Sequence, residues 1–138
     1  MKILFVSGFA PIVADPKSSK KLYVDTIGLP LTRYENTDYY RSENIEGAKH
    51  FGLWSLTDAA QACFGVDTWP ADRLAPQACV EFEVESHEAV VSAASELEVS
   101  GYTLIHDAKT EPWGQTIARL QTPEGLLVGI SFAPWHHN

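Results

Sequence analysis

The residues with most chemical potential in this chain are five histidines, two cysteines and a few carboxylates that alternation places beside them. In Cys79–Val84 the apolar Val80, Phe82 and Val84 share one strand face, which leaves Cys79, Glu81 and Glu83 on the other. In the strand around residues 48–56, Phe51 and Leu53 share one face, leaving His50, Gly52 and Trp54 opposite. If those two faces meet, His50 and Glu81 form a two-ligand metal pair, one short of the three protein ligands a bound metal normally has. Otherwise His50 is a hydrogen-bonded pocket residue, and Glu81 a solvated strand charge or the partner of Arg119. Cys79 beside His50 would be an activated thiol, since a nucleophilic cysteine needs a basic neighbour. As a small buried filler it would be inert. His87 falls at a helix start, His106 at a strand end, and His136-His137 in a tail prone to fraying. Neither Cys63 nor Cys79 sits in a Cys-x-x-Cys pair, so no zinc or redox motif is visible.

Elements that would position these residues are marked by caps and breaks. Ile3–Val13 reads as a buried strand rather than a signal segment. Asp15 then caps a helix with Pro16 at its first position, and Leu22, Tyr23, Thr26 and Ile27 form its stripe. Gly28 and Pro30 end it. Strands are expected over 29–34, 38–42 and 48–56. A second copy of the layout begins at Cys79. Ser86 caps a helix with a Val90, Ala93, Ala94, Leu97 stripe, Gly101 ends it, and strands follow over 102–105, 115–121 and 126–132. Gly28 and Gly101 lie 73 residues apart, about half the chain. Residues 57–64 suggest a short capped helix, and 65–77 a connector with Pro70 and Pro76. The reading is one domain over 1–138: unit one about 1–56, connector 57–77, unit two about 78–133.

Thr122-Pro123-Glu124-Gly125 has the pattern of a type I turn joining the last two strands. With the preceding Pro112-Trp113-Gly114, this hairpin resembles that of the glyoxalase/bleomycin resistance/dioxygenase superfamily, also called vicinal oxygen chelate proteins. The helix-ending Gly28-Leu29-Pro30-Leu31 is also typical of its first unit. The resemblance spans nearly the whole chain and implies an α+β fold. Two β-α-β-β-β units would form an open, eight-stranded, barrel-like sheet with helices outside and the ligand on the concave side. Catalytic members hold a divalent metal through His, Glu or Gln on the first and last strand of each unit. Alignment on the strand ends places Gly8, Gly52, Cys79 and Gly129 at those positions. Glycine has no ligating side chain, so the expectation is no metal, no cofactor and no catalytic residue.

That departure resembles the bleomycin-resistance branch, whose members bind a drug without changing it and are usually dimers. The leading expectation is therefore a metal-free binder of a small aromatic-bearing molecule. Its contacts would be His50, Trp54, Cys79, Glu81, Trp113, Tyr40 and Arg119. The alternative is a metal-dependent lyase or dioxygenase of the same superfamily whose ligand positions are misaligned. A third is a ligand-responsive interaction module without chemistry. Four Trp, five Tyr and six Phe supply rings either for such a cleft or for core and interface packing, with Trp69 and Trp135 read as cover residues. A net charge of -8, with no basic cluster beyond Lys20-Lys21, excludes a nucleic-acid surface. No run is long enough to span a membrane. Reduced cysteines suggest the cytoplasm. Open sheet edges and the resemblance suggest a homodimer.

Overall fold

The computed structural model describes residues 1–138. Eight strands form one mixed, open sheet in the order β2-β3-β4-β1-β5-β8-β7-β6. They are β1 (Phe5–Val13), β2 (Thr32–Arg33), β3 (Tyr40–Ser42), β4 (Phe51–Ser55), β5 (Ala78–Glu83), β6 (His106–Thr110), β7 (Thr116–Gln121) and β8 (Leu127–Phe132). The seam between the halves is the antiparallel β1–β5 pair, and each of these strands carries a parallel neighbour, β4 and β8 respectively. The expected α+β architecture is present. No helix is long and apolar enough to cross a membrane.

Helix α3 (His87–Val99) covers the outer face of the second half. Ser86 caps it by accepting from Ala89 N. It ends in paired bonds from Gly101 N to Glu98 O and from Tyr102 N to Leu97 O, at 3.0 Å each. Gly101 reaches φ +96°, which only glycine adopts readily. Val90, Ala93 and Ala94 pack on Val84, Ala118 and Ile130. Val84 and Ile130 therefore face outward, as the alternation requires.

The first half is less regular. Asp15 caps a helix through Lys17 N, but α1 is only Pro16–Lys20 and continues as a π-helical turn over Lys21–Thr26. The expected stripe does not pack, since Leu22 and Ile27 are 53% and 57% exposed. Strand β1 starts at Phe5, leaving Ile3 and Leu4 exposed. The sixth strand is His106–Thr110 rather than 102–105. The more polar segment pairs with β7, while Leu104 and Ile105 pack against the two core clusters from the loop before it.

Helix α2 (Leu56–Phe64), capped by Ser55, lies on the inner face of the sheet. Its Ala59, Ala60 and Cys63 form a core with Ala10, Cys79, Leu127 and Trp69. One end of the concavity is thus filled. Gly125 N bonds Thr122 O at 2.8 Å, the closure expected of the β7–β8 turn.

Candidate functional site

Strand register determines which inner-face residues meet. Glu81 lies opposite Gly8 on β1 and opposite Gly129 on β8, and Gly129 lies opposite Arg119 on β7. The Phe9–Phe51 pairing puts His50 beside Gly8. A single row therefore crosses the sheet as His50, Gly8, Glu81, Gly129, Arg119. The 73-residue spacing of Gly28 and Gly101 also relates Gly8 to Glu81. The four positions related across the seam are thus Gly8, His50, Glu81 and Gly129. This corrects the quartet Gly8, Gly52, Cys79 and Gly129. Alternation identifies a face, but the row along that face is set by pairing, and β1 carries a register shift between Val6 and Gly8.

His50 and Glu81 are already engaged. His50 Nε2 is 2.5 Å from the Tyr39 hydroxyl, and its Nδ1 is 3.6 Å from Glu43 Oε1. The two rings lie nearly parallel, with centroids 5.8 Å apart, and meet end to end through that hydrogen bond. Burial holds the His50 imidazole below its usual 6.5, against the pull of Glu81 and Glu43. Burial raises the Tyr39 phenol well above 10.0, and Cys79 and Glu81 push it the same way. A neutral phenol therefore donates to a neutral imidazole. Glu81 Oε1 accepts from Gln115 Nε2 at 2.9 Å, and the same amide donates to Ser131 Oγ at 2.8 Å. Trp113 Nε1 donates to Gln115 Oε1 at 2.8 Å, while its ring is 46% exposed.

These donors do not fit the divalent metal of the superfamily's catalytic members. No three His, Cys, Asp or Glu side chains converge to hold an ion. A β-carbon on Gly129 would stand 2.7 Å from Ile117 Cδ1, so packing fills that position. At Gly8 it would meet Glu81 Oε1 at 3.3 Å.

The other expected contacts separate from this group. Tyr40 pairs with Leu53, which shares its strand face with the outward Phe51, so the inward ring is its neighbour Tyr39. Cys79 is buried among Ala10, Ala59 and Leu127, and burial raises its thiol far above the ordinary range. It is a core residue. Arg119 is 2% exposed beneath α2; its Nη1 lies 3.2 Å from His106 Nε2 and 3.5 Å from Glu111 Oε1. It makes no ion pair with Glu81; Glu111 is its carboxylate. Its guanidinium sits over the Trp54 ring, 5.6 Å from the centroid, and Trp54 packs on the α2 core. Trp69 is buried there too, while Trp135 is 48% exposed. Sequence reasoning missed Tyr39, Gln115 and Ser131 as partners. The inward alternation of Gln115 with Ile117 and Arg119 was readable, but its bond to Glu81 was not.

The profile of the Glyoxalase/Bleomycin resistance protein/Dioxygenase superfamily matches residues 8–130. The chain belongs to this superfamily. No curated protein sequence matches it significantly. Its fold is similar to a structure described as an NAD-dependent benzaldehyde dehydrogenase from Legionella pneumophila (TM-score 0.61, 13% identity, 91% of this chain and 96% of that one). It is also similar to a glyoxalase/bleomycin resistance protein/dioxygenase superfamily member from Vibrio splendidus 12B01 (0.58, 15%, 96% and 100%). Methylmalonyl-CoA epimerase from Streptomyces coelicolor gives 0.59 at 13% identity, covering 96% and 99%. At these identities the likeness concerns fold.

Two predictions follow from the geometry. Trp54→Ala should lower stability by about 3 kcal/mol, read as a melting temperature roughly 10 °C lower. An unchanged melting point would remove Trp54 from the core. Stability should also fall as pH drops below the usual histidine value of 6.5, because burial lowers His50, His106 and His136 in the folded chain. The unfolded chain then takes up protons first, so this stability is fully present above that pH and lost below it. Urea midpoints between about pH 7.5 and 5.0 should show the slope, and His50→Gln should flatten part of it. An equal slope in that variant would contradict the assignment.

Proposed function

We propose that this protein binds a small aromatic-bearing molecule on the open half of its inner face, without the metal chemistry of the superfamily's catalytic members. The observation that carries the reading is the row itself: two of its four seam-related positions are glycines, and the other two are held by Tyr39 and Gln115. Trp113 offers an exposed ring beside that row, suited to stacking. Glu81 has no Lys or Arg partner, and an unbalanced carboxylate in a partly desolvated cleft favours a cationic over a neutral ligand. The presence of His50 and Glu81 in the row supports a second reading, a metal-dependent enzyme of the superfamily.

Elemental analysis of the mildly purified protein distinguishes the readings. The binding reading expects no stoichiometric transition metal. Near one equivalent of zinc, nickel, iron or manganese, lost to a chelator together with a measurable activity, would replace it with the enzyme reading. On the metal-free protein, an aromatic ligand should quench Trp113 fluorescence, and Glu81→Gln should weaken cationic ligands more than neutral ones.

We further propose that the protein is a cytoplasmic homodimer. Val6 and Phe9 on β1 are 49% and 41% exposed, and Leu22 and Ile27 are uncovered as well. Sedimentation at micromolar concentration should show a species near twice the 15.2 kDa chain mass. A lone monomer would contradict this.

A further inference from the structure

The inner face contains an aromatic group of the kind the binding reading requires, but it belongs to the protein. The Tyr39 ring lies directly on the Gly52 backbone. A β-carbon at Gly52 would stand 2.2 Å from the Tyr39 hydroxyl oxygen, 2.5 Å from Cζ and 2.7 Å from Cε1. Glycine at 52 is therefore what admits the ring. The slot supplies a flat main-chain floor and, at its hydroxyl end, one acceptor, Nε2 of the nearly parallel His50 ring. Two shallow clefts, of about 480 and 300 Å³, lie elsewhere, beside α1 and beside the start of α3.

The ring comes from a weak part of the sheet. Tyr39 ends the turn between β2, the two-residue edge strand, and β3, the three-residue strand beside it. The turn is held by Tyr34 N to Tyr39 O at 2.7 Å and Tyr39 N to Thr37 Oγ1 at 3.1 Å. Both bonds use Tyr39 main chain. Rotating the side chain outward leaves them intact and breaks one side-chain hydrogen bond, that to His50. By contrast, Ile117 and Arg119 on the same face are 0% and 2% exposed on the six-residue strand β7.

We propose that Tyr39 is a built-in occupant of the ligand slot, and that the slot takes a phenolic ring whose hydroxyl donates to His50 in its place. This rests on the binding reading and specifies its ligand class. Glu81 and Glu43 next to the hydroxyl position select for a neutral phenol and against a phenolate, since like charges repel there. Burial foremost, then Cys79 and Glu81, raises the pKa of the Tyr39 phenol in the same direction.

The test uses 4-methylphenol, the side-chain analogue of tyrosine, and toluene, which lacks the hydroxyl. Tyr39→Ala should bind 4-methylphenol roughly tenfold or more tighter than the unaltered protein, because a competing occupant no longer reduces the competent population. Toluene should bind the variant roughly tenfold more weakly than 4-methylphenol, the worth of one hydrogen bond. Adding His50→Phe should abolish that difference. A folded Tyr39→Ala protein that gains no affinity for 4-methylphenol, or that binds toluene equally well, overturns the proposal. Should that variant fail to fold, Tyr39→Leu, which keeps apolar volume but not the ring, decides by the same titrations. Failure here with Trp113 still quenched by other aromatic ligands leaves the binding reading standing. A stoichiometric metal removes that reading whatever the phenol result.

Discussion

The structure depends on the register of the β1–β5 seam. There two strands from different halves run antiparallel, and each then receives a parallel neighbour. Parallel pairs need long crossovers, and these are α1 with its following strands on one side and α3 with its following strands on the other. The seam residue Glu81 faces Gly8 and Gly129 because of this register. A shift of two residues at the seam would keep every face assignment but set Gly8 against Cys79 or Glu83 instead of Glu81. A shift of one would turn Glu81 and Glu83 into the α3 core, where unpaired carboxylates are strongly disfavoured.

Given that register, the concave face is governed by volume. Its glycines are places where a neighbouring side chain needs the space: Ile117 over Gly129, Tyr39 over Gly52, the Glu81 carboxylate against Gly8. A β-carbon at Gly52 or Gly129 would require the ring or the isoleucine to move. The remaining polar groups are joined in neutral or singly charged chains: Trp113 to Gln115 to Glu81 and Ser131, and Tyr39 to His50 beside Glu43. Such chains suit a face that is partly desolvated, because each donor within them has an acceptor, whereas Arg119 Nη2 on the same face has none.

Much of this organisation was legible in the residues. The caps Asp15 and Ser86 and the capped segment at 57–64 marked three helices, and the alternation of Val80, Phe82 and Val84 assigned the faces of β5. The turn at Thr122–Gly125 was written in its Pro and Gly. What failed was whatever depended on contacts between segments distant in sequence. Only Tyr40 entered the expected contacts, because two adjacent rings at a short strand cannot be told apart until the opposite residue, Leu53, is known. Arg119 and Trp54 looked like cleft residues because their faces were right; α2 then covered that half of the face. His106–Thr110 was missed because its strand is polar on both sides and is fixed by pairing with β7 rather than by its own pattern.

The two halves of the fold are related by topology, yet they differ in how the concavity between them is filled. At one end a whole helix, α2, contributes Ala59, Ala60 and Cys63 to a core closed by Trp69, and the charges beneath it are paired with one another. Undoing that packing means exposing a cluster of apolar side chains at once. At the other end the filling is a single ring on an edge turn, tied by one hydrogen bond and seated on bare main chain. The free-energy difference between the two closures follows from area: several buried side chains against one half-buried phenol. A molecule entering this concavity therefore meets an end that behaves as core and an end that behaves as a replaceable occupant. The open row of His50 and Glu81 lies at the replaceable end.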